Sequence, residues 1–364
     1  MEVSRARRAY RALALTVFNT VLVFLLLNGV LWVAYRLKAH WSDPLPQRMD
    51  SLRKVYPSLD DEEIEALFEE TWSRTYSYEP FTQFKESPFE GRFVNVSPQG
   101  YRLSRNQGPW PPPEGDFNVL VFGGSTAFGY GLPDDQTIAS YLQEALSDRL
   151  GAVHVYNFGR GHYFSAQERA LFESLLAADV RPRLAVFIDG LNEFSHPRGE
   201  PRFTRELEDF VQRPEALSRV LSRLPVASLV ESIRSRIELP AAEDEADPAE
   251  PSRTVIERYL KNKALIEAAA SGFGVELLFV WQPIPSYGYD LEHHLFREEI
   301  PLRHRHSGAG YQMMLETAEQ RDLGGDFLWC ADLQLGLEEP LYVDAVHYGP
   351  KLSRLLAQRI AEAL

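Results

Sequence analysis

The amino-acid sequence predicts an α/β protein in three layers, with helices on both faces of a parallel sheet and a membrane-spanning helix near the N-terminus. The first observation is that short apolar runs alternate with helix-like segments after residue 116. Apolar strands that alternate with helices are typical of parallel sheets covered on both faces. The second observation is an uncharged stretch over residues 12–35 that is rich in Leu, Val and Phe.

The uncharged stretch is long enough to span a bilayer, since a helix needs about 20 apolar residues to cross the hydrocarbon core. No small-x-small cleavage site follows it, which favours an anchor over a signal peptide. Trp32 and Tyr35 lie at one end, where aromatic rings prefer the interface. Four arginines precede the stretch, and only Arg36 and Lys38 follow it closely. We therefore expect a single-pass protein of the inner cell membrane, with a cytoplasmic N-terminus and a periplasmic main domain.

Composition divides the chain into three regions. Residues 1–40 are predicted to be a cytoplasmic tail and transmembrane anchor, residues 41–115 a stalk or lead-in segment, and residues 116–364 the main domain. An insertion at about 195–252 interrupts the main domain and ends in the acidic stretch 241–251. That stretch has no bulky apolar residues with which to bury surface, so we predict a disordered loop.

Each region has its own predicted elements. In the lead-in, Ser58 is predicted to cap a helix over residues 60–68, with acidic side chains at the positive end of the helix dipole. The predicted strands of the main domain are residues 118–122, 153–157, 184–188, 275–281 and 327–330. The predicted helices are near residues 138–150, 165–178, 204–211, 216–237 and 351–364.

Charge and cysteine content exclude some classes of function. The formal net charge of −14 argues against a nucleic-acid partner, because phosphate binding needs clustered Lys and Arg. Cys330 is the single cysteine, so no intrachain disulfide can form, and its apolar surroundings favour a core position. No cofactor is predicted, and the oligomeric state is left open.

Polar clusters follow the predicted strands at their carboxyl ends, where ligands of open parallel sheets bind. Gly-Gly-Ser125 follows the first strand; a serine there is as often a helix cap or a phosphate contact as a nucleophile. Residues 157–162 and 189–192 follow the next two strands and are either plain turns or donors of an oxyanion hole. Before the last helix, Asp344 and His347 are spaced to hydrogen-bond each other and leave one imidazole nitrogen for a serine.

Together these clusters resemble the SGNH/GDSL hydrolase superfamily over about residues 116–364, apart from the insertion. Gly-Ser125 matches the block with the nucleophile, Gly-x-Asn192 the block with the oxyanion asparagine, and Asp344-x-x-His347 the block with the base. The resemblance implies a flavodoxin-like sheet and the chemistry of a serine esterase, without a metal. It implies that Ser125 attacks an acyl ester while His347 takes its proton and Asp344 orients the imidazole.

This sequence departs from the family pattern at two places and matches it at one more. Gly124 stands where the family name has an aspartate, which leaves the nucleophile intact. The spacing from the second strand puts the oxyanion loop at His162, or at Gly161 if the loop is one residue shorter. The N–H groups of Ser125 and of this loop, with the Asn192 side chain, are then expected to form the oxyanion hole. Residues 99–102 also resemble the lead-in of many bacterial members.

Three functions fit these residues. The first is hydrolysis of acyl esters, on a glycan or a lipid; the second is O-acyl transfer to an envelope polysaccharide by the same triad. The third is a binding protein that kept the fold without catalysis. Four histidines at 293, 294, 304 and 306 match no standard zinc spacing, and we interpret their segment as a solvated lid rather than a metal site.

Overall fold

The computed structural model describes residues 2–41, 45–212, 224–227, 229–230, 233 and 250–364. The chain forms two compact units, of which the first joins Met1–Gln47 to Arg205–Ala246 and the second joins Arg48–Thr204 to Asp247–Leu364. The helix predicted over 216–237 lies largely outside the described residues. So does the acidic stretch 241–251, apart from its last two residues, which begin a helix.

The helices and strands are named here in chain order. The described α-helices are α1 (Glu2–Trp41), α2 (Leu45–Val55), α3 (Asp61–Trp72), α4 (Ser125–Phe128), α5 (Ile138–Leu150), α6 (Ser165–Ala177), α7 (Leu191–Ser195), α8 (Thr204–Gln212), α9 (Glu250–Phe273), α10 (Leu302–Gln320) and α11 (Pro350–Glu362). The strands are β1 (Tyr76–Glu79), β2 (Gln83–Glu86), β3 (Phe89–Glu90), β4 (Asn95–Val96), β5 (Phe117–Gly123), β6 (Val153–Asn157), β7 (Leu184–Asp189), β8 (Glu276–Trp281) and β9 (Phe327–Trp329).

The first unit contains the long apolar helix. Within α1, residues Arg7–Tyr35 have the length and composition of a membrane span, and these features fit both a membrane anchor and a signal sequence. The Asn28 side chain accepts a hydrogen bond from the Val226 N–H at 3.1 Å, so a described piece of the insertion contacts this helix. Helix α8 confirms the helix predicted over residues 204–211.

The second unit is built on a sheet of five parallel strands in the order β6-β5-β7-β8-β9. Counted along the chain this is the order 2-1-3-4-5, the doubly wound arrangement of flavodoxin-like folds. Every residue of β7 at the centre is buried, since helices cover both of its faces. The predicted three-layer α/β fold with a flavodoxin-like parallel sheet is therefore confirmed.

Side chains of the strands alternate between two apolar cores. Val119 and Val121 of β5 pack in one core with residues of α5 and α11. Leu120 and Phe122 pack in the opposite core with residues of α6 and α9. Burying one such side chain stabilises a fold by roughly 1.5–3 kcal/mol, so the two cores fix the sheet and the positions of its strand ends.

The lead-in segment differs from the prediction at its helix cap. Asp60, and not Ser58, caps α3: its side chain accepts the Glu63 N–H at 2.9 Å. The Glu63 carboxylate in turn accepts the Asp60 N–H at 3.2 Å, which completes a capping box. The reciprocal pair outcompetes Ser58 because it pairs two N–H groups, and it begins the helix at Asp61. The boundary predicted between lead-in and main domain stays a prediction.

Candidate active site

The loop between β5 and α4 carries Ser125 at the carboxyl end of the sheet. Gly123 has a φ of +151°, and a Cβ there would lie 2.8 Å from the Ile188 carbonyl oxygen, so the position requires glycine. A Cβ on Gly124 would collide with the side-chain amide of Asn192. The glycine that departs from the family name is therefore what lets Asn192 approach the backbone beside Ser125.

Ser125, His347 and Asp344 form one hydrogen-bonded row. The Ser125 Oγ lies 2.8 Å from His347 Nε2, and His347 Nδ1 lies 2.6 Å from Asp344 Oδ2. The second oxygen of Asp344 accepts the N–H groups of Val346 and His347, each at 2.9 Å. Because these bonds fix the carboxylate within its own turn, the imidazole is held with Nε2 toward the serine. The structure thus brings Ser125 into contact with a pair of residues that lies far later in the sequence.

The row holds Asp344 in its charged form. Burial raises the pKa of Asp344, but the nearby His347 charge, the His347 hydrogen bond and two backbone N–H donors together outweigh burial. The net result is a pKa well below the ordinary value of an aspartate. An ionised Asp344 accepts a hydrogen bond from the Nδ1–H group of His347, which leaves the lone pair of Nε2 for the serine hydroxyl.

The two predicted oxyanion segments lie beside the serine. Asn192 Nδ2 donates to the Tyr163 carbonyl at 2.7 Å, which leaves the second amide proton for another acceptor. In the loop after β6, the Gly161 N–H donates to Glu86 Oε1 at 3.2 Å. His162 has a φ of +64°, a left-handed conformation that is uncommon for a residue with a Cβ and is found at functional sites.

Two aromatic side chains contact the imidazole of His347, and sequence reasoning missed one of them. The Tyr130 ring stacks on it with centroids 5.4 Å apart and planes 29° apart. The Trp72 ring contacts it edge-on at 5.7 Å, and it contacts Tyr130 at 5.3 Å. Trp72 is the last residue of α3, so the lead-in segment contributes a wall of the candidate site. No motif marks it, because its position depends on how α3 packs.

Beneath this wall lies a buried ion pair. Arg74 Nε and Glu86 Oε2 are 3.7 Å apart, and their side chains are 2% and 1% exposed. Glu86 Oε1 also accepts the Tyr130 hydroxyl at 2.8 Å, in addition to the Gly161 N–H. One carboxylate of the lead-in therefore holds both the ring that stacks on His347 and the loop that precedes His162.

Two further buried polar residues connect the segments that carry Ser125 and His347. Gln282, which follows β8, accepts hydrogen bonds from Thr126 at 2.6 Å and from Tyr348 at 2.8 Å. These are the neighbours of the serine and the histidine in the chain. Arg102 pairs with Asp134 at 2.9 Å and donates to main-chain carbonyls of residues 128, 129 and 132, so it clamps the turn after α4.

Three carboxyl groups are buried behind Asn192. Burial raises the pKa of Glu168 and of Asp189 well above their ordinary values, and the neighbouring carboxylates raise both further. Burial also raises the pKa of Glu193, although the Ser165 N–H and Arg258 oppose this. Burial therefore makes a proton harder to remove from these groups in the folded chain than in water.

The solvated lid predicted at the histidine cluster is wrong for two of its members. His294 is 3% exposed and stacks on Tyr342 with centroids 4.9 Å apart, and burial lowers its pKa to about 4. His304 is buried too. Packing against buried aromatic rings holds this segment in place. The polar composition of the segment does not reveal that packing. Among the described residues, no group of three or more His, Cys, Asp or Glu has the arrangement of a metal site.

Other reactive or aromatic side chains of the second unit are held by packing. Cys330 is buried as predicted, and burial raises its pKa to about 12, which makes it a poor nucleophile. Tyr163 and Trp281 are fully buried. His196 stacks on Phe164 at 4.8 Å, and its Nε2 lies 3.1 Å from the His162 carbonyl oxygen, so it supports the loop from outside.

Comparison with known proteins identifies the family of the chain. The model of the GDSL-like lipase/acylhydrolase family matches residues 121–305, just over half of the chain. The matched range includes Ser125 and Asn192, whereas Asp344 and His347 follow it. A comparison with curated protein sequences finds no match.

Several solved structures are similar to the chain at low sequence identity. The lipase Lip_vut3 from a goat rumen metagenome is 11% identical, with a TM-score of 0.41, and the match covers 68% of this chain and 97% of that one. The acetyl xylan esterase AlAXEase is 12% identical, with a TM-score of 0.40, over 68% and 99%. The psychrotrophic esterase EstA from Pseudoalteromonas sp. is 11% identical, with a TM-score of 0.36, over 68% and 96%.

Proposed function

The chain belongs to the GDSL-like lipase/acylhydrolase family, and from that membership we propose that it is a membrane-tethered serine esterase with Ser125 as its nucleophile. The esterase or acylhydrolase activity on esters is that of the family. The observation that carries the assignment of Ser125 is its hydrogen bond of 2.8 Å to His347, which is itself bonded to Asp344 at 2.6 Å.

The reaction begins when the Ser125 Oγ attacks the carbonyl carbon of an acyl ester and His347 Nε2 takes the hydroxyl proton. The tetrahedral intermediate collapses as the imidazolium gives that proton to the leaving alcohol oxygen, and an acyl-serine remains. Water then attacks the acyl-serine, with His347 as base, and the carboxylic acid leaves. Asp344 stays ionised throughout and stabilises the imidazolium.

The developing oxyanion needs donors that are in place before the reaction. The Ser125 N–H, the second amide proton of Asn192 and an N–H of the 161–162 loop fill this role in our proposal. Because Glu86 already accepts the Gly161 N–H, we assign the loop donor to His162. Its left-handed backbone conformation supports this choice. Losing one such donor typically slows the chemical step by about 100-fold to 1,000-fold.

The anchor and its orientation belong to the same proposal. Within α1, Arg7–Tyr35 is long and apolar enough to span a bilayer, and the arginines that precede residue 12 favour a cytoplasmic N-terminus. Carbonate extraction of membranes and protease accessibility of the main domain in spheroplasts test both points. Release of a shortened soluble chain would show a cleaved signal sequence instead. Acyl transfer to a sugar hydroxyl uses the same groups and stays a prediction.

Hydrolysis of p-nitrophenyl acetate by the full chain in detergent tests the proposed nucleophile. Ser125→Ala is expected to lower kcat by about 1,000-fold or more, because the row loses the group that forms the acyl intermediate. The matched control is Ser58→Ala, since Ser58 is an exposed serine of the lead-in. Equal turnover by Ser125→Ala and the wild type would overturn the proposal.

A further inference from the structure

The aromatic rings beside His347 continue as a strip along the surface. We call Trp72, Tyr130, Tyr76 and Phe203 the aromatic strip. Trp72 and Tyr130 are in ring contact at 5.3 Å, the hydroxyls of Tyr130 and Tyr76 are 3.1 Å apart, and the rings of Tyr76 and Phe203 are 6.0 Å apart. Two of the four precede the region that the family model matches, and Phe203 lies in the predicted insertion. Half of the strip therefore comes from the segment that precedes the region matched by the family model.

The position of the strip determines which part of an ester it meets. In the proposed mechanism His347 protonates the leaving alcohol, so the alcohol part of the ester lies on the histidine side of Ser125. The oxyanion donors lie on the side of Asn192 and His162. Trp72 and Tyr130 are both in ring contact with His347. The strip therefore begins where the alcohol part binds.

The exposure of Trp72 indicates a ligand surface rather than a packing role. Trp72 is 50% exposed, although its ring contacts His347, the proposed base. By contrast, the other three rings of the strip are buried or half-buried, and they hold the surface rigid beneath a ligand. A rigid, half-exposed indole offers a flat apolar face at little cost in side-chain entropy.

A charged group edges the strip. The exposed Arg202 lies over the Phe203 ring at 5.6 Å, where it also contacts the His162 side chain, whereas the hydroxyls of Tyr76 and Tyr130 are paired with each other and Tyr130 also with Glu86. A sugar ring has an apolar face of C–H groups and a rim of hydroxyls, so it matches a flat aromatic face edged by a hydrogen-bond donor. A fatty alcohol or a diglyceride would cover the Arg202 guanidinium without pairing it, which is unfavourable.

We infer that the aromatic strip binds the sugar ring of an O-acylated carbohydrate, so that the esters cleaved at Ser125 are carbohydrate esters. The inference rests on the proposed function, and it makes Trp72 the residue that selects the alcohol part. Trp72 takes no part in proton transfer. Its removal is expected to raise KM for sugar esters far more than it lowers kcat.

The test compares esters that share an acetyl group and differ in the alcohol. Methyl 6-O-acetyl-glucopyranoside is the sugar probe, ethyl acetate the small reference and triacetin the glycerol probe, each followed by acetate release from the full chain in detergent. The wild type is expected to prefer the sugar ester over ethyl acetate by about tenfold or more in kcat/KM. Trp72→Ala should lower this ratio about tenfold, mainly through KM, and Trp72→Phe should retain part of it.

The control variant is Tyr78→Ala, which removes an aromatic side chain that is 72% exposed in β1 of the same segment, and it should keep the wild-type ratio. No preference for the sugar ester, or an equal change for all three esters in Trp72→Ala, would overturn the inference alone. A preference for triacetin that Trp72→Ala abolishes would overturn it in favour of glycerol esters. Turnover of every ester by Ser125→Ala would overturn the proposed function instead, and the inference with it.

Discussion

Two regions of the second unit meet at the candidate site, and they differ in how they contribute. The carboxyl ends of the strands and the turn before α11 supply Ser125, Asn192, Asp344 and His347, the groups that are proposed to react or to stabilise charge. The lead-in segment from α3 to β2 supplies Trp72 and Glu86, which contact or support those groups. In our proposal the first region carries out the chemistry, and the second region forms the surroundings of the reacting side chains.

The difference between the regions lies in what fixes each residue. Ser125 and Asn192 follow strands of a regular sheet, so their positions are set by local turns and by strand order. Trp72 and Glu86 reach the site through packing between segments that are far apart in the chain. Changes in the two regions should therefore have different consequences, with activity most sensitive in the first and stability or selectivity in the second.

Asp344→Asn should have the largest effect on kcat, and it changes only the region that is proposed to carry out the chemistry. The amide keeps the volume and the turn of Asp344, but it favours the wrong tautomer of His347, because it can donate to Nδ1 instead of accepting from it. We expect kcat to fall by about 10,000-fold with little change in KM. Steady-state hydrolysis of p-nitrophenyl acetate measures both constants. A decrease below tenfold would show that His347 does not depend on this carboxylate.

The sequence allowed much of the chemical region to be predicted. The apolar runs predicted the five strands of the parallel sheet, and α5 spans the residues expected of it, because periodicity and caps are local signals. The glycines and the spacing of Asp344 and His347 pointed to residues that the structure brings within hydrogen-bond distance. Their catalytic roles stay predictions, as does the choice between residues 161 and 162.

The sequence did not allow the lead-in region to be predicted in the same way. Trp72 ends an ordinary amphipathic helix, and no spacing rule connects it to a histidine that lies far later in the chain. In the sequence, Arg74 and Glu86 look like ordinary exposed charges, although they form a buried pair. His294 likewise looks like an exposed polar residue, although it is buried. Which polar groups become buried depends on tertiary packing, and local pattern carries little information about it.

Glu86→Gln should test whether the lead-in supports the site, with an intermediate effect on stability. The change leaves the buried Arg74 without a carboxylate partner, so we expect the free energy of unfolding to fall by about 3 kcal/mol. The weaker acceptor for Tyr130 and for the Gly161 N–H should also lower kcat by about tenfold. Guanidinium unfolding followed by tryptophan fluorescence measures the stability, and p-nitrophenyl acetate hydrolysis measures kcat.

The matched control for this change is an exposed ion pair of the second unit. Lys351 and Glu339 form an ion pair in which both side chains are about half exposed. Lys351→Gln should cost less than about 1 kcal/mol, since solvent screens such pairs. If Glu86→Gln costs no more than this control, then the lead-in does not depend on its buried pair, and the contrast between the regions weakens.

The smallest expected effect is on the pH dependence of stability, through the carboxyl groups behind Asn192. Burial and neighbouring carboxylates raise the pKa of Glu168 in the folded chain. A raised pKa contributes stability below the unfolded pKa of about 4, and that stability is lost as the pH rises through the folded pKa. Glu168→Gln removes this loss, so we expect the stability of the variant to fall less than that of the wild type between pH 5 and pH 8.

Guanidinium unfolding at pH 5 and at pH 8 measures this gain. The range avoids the acid side, where Asp344 acts in the opposite direction: its pKa is lowered, so its stabilisation is lost as the pH falls below about 4. If the wild-type stability rises from pH 5 to pH 8, and Glu168→Gln shows the same slope, then the pKa of Glu168 is not raised as described.

The most direct test of the central claim is covalent labelling of the full chain with a fluorophosphonate, followed by peptide mass spectrometry. The phosphorus centre reacts with a serine only where a base activates the hydroxyl. We predict a single modified peptide, with the label on Ser125, no label in Ser125→Ala, and strongly slowed labelling in His347→Ala. Labelling of a different serine, or an active esterase that takes no label on Ser125, would contradict the account.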